Sequence, residues 1–128
     1  MSTFPVCDDV LPESDEVMPL PDVAEILQIS VTRVHQMLRD HQLLAVRRGG
    51  IVAVPARFFV EDSHHDGEVR VLKQLPGLIA VLRDGGYGDD ELLRWMYTDD
   101  PSLPGRPVDA LHGHQAREVL RRAQAMGF

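Results

Sequence analysis

The feature that most limits this chain is a pair of short apolar stripes at helical spacing, followed at once by a Gly-Gly pair between β-branched runs, all within residues 20–55. In LPDVAEILQISVTRVHQMLRDHQLL, Leu20, Val23, Ala24 and Leu27 fall at i, i+3, i+4 and i+7, one face of a helix. Pro21 suits its first turn, where a missing N–H costs nothing. Gln28-Ile29 breaks the pattern, and Ser30 predicts an N-cap whose hydroxyl accepts from an early helical N–H. A second stripe follows at Val31, Val34 and Leu38, with Met37 at its edge. Two short helices joined this tightly describe a helix-turn-helix, and the small Ala24 lets the second helix cross the first closely.

Residues 45–55, AVRRGGIVAVP, predict a hairpin. Gly49-Gly50 supply the positive φ angles of a two-residue turn, Val46, Ile51, Val52 and Val54 suit strands, and Pro55 ends the return strand. Arg47 and Arg48 then sit beside the tip, immediately after the second helix. On that helix, at about 100° per residue, Thr32, Gln36 and Arg39 lie opposite Val34, flanked by Arg33 and His35. A polar helical face alone is ordinary solvated surface. Joined to a basic hairpin it acquires chemistry: Gln and Arg pair bidentately with adenine and guanine edges, and Thr meets a thymine methyl or a phosphate. The hairpin arginines would reach phosphates or the minor groove.

The net charge of −7 argues against a nucleic-acid reader until it is divided along the chain. Residues 1–18 carry five acids and no base, residues 19–60 three acids and five arginines, and residues 61–128 twelve acids and eight bases. The one net-positive segment is the one whose pattern reads as DNA-binding. Residues 1–18, with Pro5 and Pro12 and no sustained period, read as an acidic disordered tail. Such a tail could compete with DNA for the basic face, and phosphorylation at Ser2, Thr3 or Ser14 would strengthen that competition. Residues 61–68, EDSHHDGE, read as a linker or loop.

The run from Leu20 to Pro55 resembles the MerR/excisionase-type winged helix-turn-helix, through Ala24, Ser30, Leu44, the basic Arg47 to Gly50 hairpin and Pro55. The resemblance implies that Thr32, Arg33, Gln36 and Arg39 face the major groove while Arg47 and Arg48 touch backbone or minor groove. The long C-terminal helix of the larger MerR regulators has no counterpart here.

Residues 69–128 read as a C-terminal helical domain. LPGLIAVL is apolar nearly all round and predicts a buried helix that Gly85-Gly86 ends. Asp89 is placed to cap the next, which carries Leu92, Leu93, Trp95 and Met96. A last helix is expected over 114–126, with Ala116, Val119, Leu120 and Ala123 inward. LPGLIAVLRDGGY, ELLRWMYTDDPSL and RPVDALHGHQAREVLRRAQAM resemble the C-terminal part of short actinobacterial, notably mycobacterial, winged-helix DNA-binding proteins. A looser likeness joins Trp95–Leu111, through Gly105-Arg106-Pro107, to the toxin-binding domain of some bacterial antitoxins.

Other chemistries lack their motifs. His64-His65 and His112-Gly113-His114, with Cys7, Asp66 and Asp109 as further donors, miss every strong zinc spacing, so no metal and no cofactor are expected. No nucleophile elbow and no phosphate-cradling glycine loop occurs, so no enzyme is expected. The single Cys7 cannot form an internal disulfide, and no run approaches the roughly 18 apolar residues of a membrane span. The expectation is a cytoplasmic, nucleoid-associated protein of mainly α fold: a winged helix-turn-helix over 19–60 packed against the helical domain. Its partner is double-stranded DNA and its role transcriptional regulation, with homodimerisation across two half-sites. The alternative is an antitoxin-like or adaptor module whose C-terminal domain binds a protein partner.

Overall fold

The computed structural model of the chain describes residues 3–62 and 67–126. Ser2, His64, His65 and Asp66, and with them part of the expected linker, lie outside the described residues.

The two apolar stripes form helices where the periodicity placed them, α1 over Leu20–Leu27 and α2 over Val31–Arg39. Gln28 closes α1 in the left-handed conformation, φ 57°, while the amide of Ile29 bonds back to the Ala24 carbonyl at 3.0 Å. Ser30 caps α2, its Oγ accepting from the Arg33 amide at 3.1 Å. Val23, Ala24, Val34 and Leu38 are buried where the helices cross. The hairpin forms as expected from β3 (Val46–Arg48) and β4 (Ile51–Pro55), turning on Gly49 and Gly50 at φ 58° and 79°.

Residues 1–18 require a correction. They were expected as a disordered tail, yet residues 7–8 form strand β1 (Cys7–Asp8) and residues 17–19 strand β2 (Val17–Pro19). β1 runs parallel to β3, pairing Cys7 with Val46 and Asp8 with Arg47. β2 runs antiparallel to β4, pairing Val17 with Pro55 and Met18 with Val54. The wing is therefore the centre of a four-stranded sheet in the order β1-β3-β4-β2. Two physical facts override the acidic composition. Leu11 is buried and Phe4, Val6, Val10, Val17 and Met18 pack against the core, while the acids find arginines far along the chain.

The expected linker over 61–68 is corrected at both ends. β5 (Phe59–Asp62) and β6 (Glu68–Val71) pair antiparallel from Phe59↔Val71 to Asp62↔Glu68, so the second half opens on a strand. Beyond it come α3 (Leu75–Asp84), α4 (Asp89–Met96), the short α5 (Pro107–Ala110) and α6 (Ala116–Met126). Gly88, one residue before the expected Asp89, caps α4, and its amide donates to Glu91 Oε1 at 3.0 Å. Leu75, Leu78, Ile79, Leu82, Leu92, Leu93, Met96, Val119 and Ala123 are buried and join the α1–α2 core in one continuous cluster. No helix among the described residues is long and apolar enough to cross a membrane.

A candidate nucleic-acid interface

The seven side chains expected to meet DNA occupy one α2 face and the wing, but the fold treats them unequally. Thr32 and Arg33 are exposed at the first turn of α2, and Arg47 is exposed on the wing. Neither Arg33 nor Arg47 has an ion pair among the described residues. These two are free cations, able to exchange their water for a phosphate or a base edge.

Gln36 and Arg39 are half-buried and already engaged. The Gln36 amide donates to Asp40 Oδ1 at 2.9 Å and its carbonyl accepts from an Arg39 Nη at 2.8 Å. The other Arg39 Nη is buried with no partner among the described residues. This chain holds Gln36 in a fixed orientation, and it places the Asp40 carboxylate on the same surface, where it repels phosphate. His35 is covered as well, since the ring of Phe4 stacks on it with centroids 4.8 Å apart and planes 28° apart.

Arg48 departs most from expectation. Its Nε lies 2.6 Å from Asp9 Oδ2, and Nη2 lies 3.2 Å from Asp9 Oδ1. The same guanidinium donates to the carbonyls of Asp15 at 2.6 Å and Pro12 at 3.2 Å. Four bonds to one loop engage four of the five N–H donors of the planar arginine fork. The guanidinium holds the Asp9 carboxyl below its ordinary value, and Asp9 in turn raises that of Arg48. Arg48 thus secures residues 9–15 to the wing, and Arg47 alone of the pair faces solvent unpaired.

A second network fastens the same loop to the C-terminal half. Arg106 pairs with Asp15 at 2.6 Å and Asp109 at 2.9 Å, and its guanidinium carbon lies 4.9 Å from the centre of the Tyr97 ring. Arg57 donates to Asp109 at 3.0 Å, and His112 Nε2 lies 2.7 Å from the Arg57 carbonyl. Burial lowers the His112 pKa and raises that of the Tyr97 phenol, whose oxygen has no hydrogen-bond partner among the described residues. On α6, Arg121 and Arg122 both grip Glu118, which they hold down to about 2. Cys7 is half-buried with its thiol pushed up to about 11, chiefly by burial and then by Asp89 and Asp90. No cluster of metal-ligating side chains occurs among the described residues.

Phe4, Asp9, Asp15 and Asp40 are the contributors that periodicity did not reveal. Only Asp40 carried a local signal, four residues after Gln36, the spacing at which helical side chains meet.

Two short helices crossing through a tight turn, followed by a basic hairpin, define the winged helix-turn-helix class. Within that class the chain belongs to the Rv2175c family. Residues 3–59 match the description "DNA-binding protein Rv2175c, wHTH domain", and residues 72–127 match "Rv2175c C-terminal domain of unknown function". The chain is similar to DNA-binding protein Rv2175c of Mycobacterium tuberculosis (strain ATCC 25618 / H37Rv). It is 46% identical over 140 aligned positions, which take in 100% of this chain and 92% of that protein. It is also similar to the NMR structure of Rv2175c, with 47% identity and a TM-score of 0.84 over 99% of this chain and 91% of that one. The resemblance to short mycobacterial winged-helix proteins is thereby borne out over both halves.

Proposed function

We propose that this protein binds duplex DNA selectively and regulates transcription, with α2 in the major groove and the β3–β4 wing on the flanking backbone and minor groove. The observation that carries the reading is the placement of Arg33 and Arg47, two exposed and unpaired cations, on the two elements a winged helix-turn-helix offers to a duplex. Family membership supports it.

In this reading Thr32, Arg33 and Gln36 meet base edges, Arg39 orients Gln36, and Arg47 meets a phosphate. One helix and one wing cover few base pairs, so a homodimer on two half-sites about one helical turn apart would supply the affinity. With few free cations and Asp40 opposing phosphate, nonspecific binding is weak and its salt dependence shallow, at about 0.9 in slope for each phosphate neutralised.

Selection of binding sites from random duplexes, followed by fluorescence anisotropy, tests this. Arg33→Ala and Gln36→Ala should each weaken the selected site by about 1–3 kcal/mol, and the selected sequence should contain two related half-sites. Failure to enrich any sequence would refute the reading, and a lone half-site would refute the dimer.

A further inference from the structure

Among the described residues only two large apolar side chains are exposed, Val31 at 38% and Ile51 at 55%. Single exposed apolar residues are commonplace on proteins. These two are distinguished by where they stand: Val31 is the first residue of α2, and Ile51 is the first residue of the return strand of the wing.

The surroundings of Ile51 point to what it meets. β1 pairs with β3 only at Val46 and Arg47, and β2 pairs with β4 only from Ala53 to Pro55. Residues 48–51 therefore project past both outer strands. The apex is Gly49-Gly50, and a Cβ at either would meet nothing within 4 Å, so the tip is bare backbone surrounded by open space. Arg48, which pairs with Ile51 across the hairpin and shares its face, is folded back onto Asp9 and two carbonyls. Arg47 is on the opposite face. The wing thus ends in a thin, side-chain-free apex with an apolar side chain on one side and a free cation on the other.

Resting on the reading that this surface binds duplex DNA, we propose that Ile51 is a specificity-determining residue that enters the minor groove at an A·T-containing step. Arg47 holds the adjacent phosphate. The minor groove is about 6 Å wide, which admits a bare turn and one branched side chain more readily than a tip bearing long charged ones. A·T pairs leave the groove floor open, whereas the guanine amino group of a G·C pair stands in the way of an apolar group that cannot accept its hydrogen bond. Branched apolar side chains wedge most cheaply at deformable pyrimidine–purine steps such as TA.

The test uses the full chain and a duplex selected from a random pool, with a second duplex in which only the A·T pairs under the wing are changed to G·C. Wild type should prefer the first by about tenfold at fixed salt. Ile51→Ala should reduce its affinity for the first by about five- to tenfold, from the apolar area no longer buried, and so abolish the preference. Its salt slope and melting temperature should match wild type, because no charge and no core contact is removed; Ile51→Met should retain most of the preference. An Ile51→Ala protein that keeps the full preference overturns the proposal, as does one whose only change is weaker self-association in sedimentation without DNA. If wild type selects no duplex at all, the underlying DNA-binding reading falls first, and this outcome is seen before any variant is compared.

Discussion

Arg47 and Arg48 are adjacent, identical in type and both on the wing, yet replacing each with alanine should give opposite phenotypes. Arg48 makes four hydrogen bonds, two to the Asp9 carboxylate and two to backbone carbonyls, with both partners of the ion pair about a quarter exposed. Bonds to charged groups contribute about 1.5–3 kcal/mol each where they are buried, and far less where water can replace the lost partner. Partial exposure lets water reach Asp9 and the freed carbonyls, so about 2–3 kcal/mol for the whole clamp is a reasonable sum. A chain of this size loses about 4 °C of melting temperature per kcal/mol, which puts Arg48→Ala on the order of 10 °C below wild type. Arg47 has no partner to lose, so Arg47→Ala should melt within about 2 °C of wild type. In DNA binding the order reverses: Arg47→Ala should reduce the slope of log K against log salt by about 0.9, the share of one phosphate. Calorimetric melting and anisotropy titrations from low to moderate salt measure both. An Arg48→Ala protein that melts like wild type and loses the same salt slope as Arg47→Ala would refute the division of labour.

Two further outcomes follow from the same contacts. The Asp9 carboxyl is held below its ordinary value, so its stabilisation is present above the unfolded value of about 3.9 and is lost as the pH falls through the folded one. Asp9→Asn should therefore be clearly less stable than wild type to urea at pH 7, and the gap should narrow as the pH is lowered below about 3.9; an unchanged gap would rule out the linkage. Tyr97 buries a hydroxyl with no partner among the described residues, so Tyr97→Phe should be neutral or stabilising by about 1 kcal/mol while keeping the ring beneath Arg106. A loss of more than about 1 kcal/mol would mean that the hydroxyl is satisfied.

Much of the fold is legible in the chain read alone because its signals are local. The period of 3.6 in Leu20, Val23, Ala24 and Leu27, the Ser30 cap and the Gly49-Gly50 turn each depend on neighbours a few residues away, and each formed where it was read. The N-terminal segment carried no such signal. Its strands are two and three residues long, too short for any period to show, and they exist because β3 and β4 offer them free edges. Composition misled here, since five acids and two prolines describe a disordered end equally well.

The helix-turn-helix stripes and the basic hairpin were thus determined by the sequence itself, because backbone geometry and side-chain spacing decide them locally. Which cations remain free to meet a ligand was decided by tertiary structure alone. Arg48 finds Asp9 across 39 residues and Arg106 finds Asp15 across 91, contacts that come into being only when the chain returns on itself. A guanidinium is committed or available according to what lies within about 3 Å of it, and spacing along the chain says nothing about that distance.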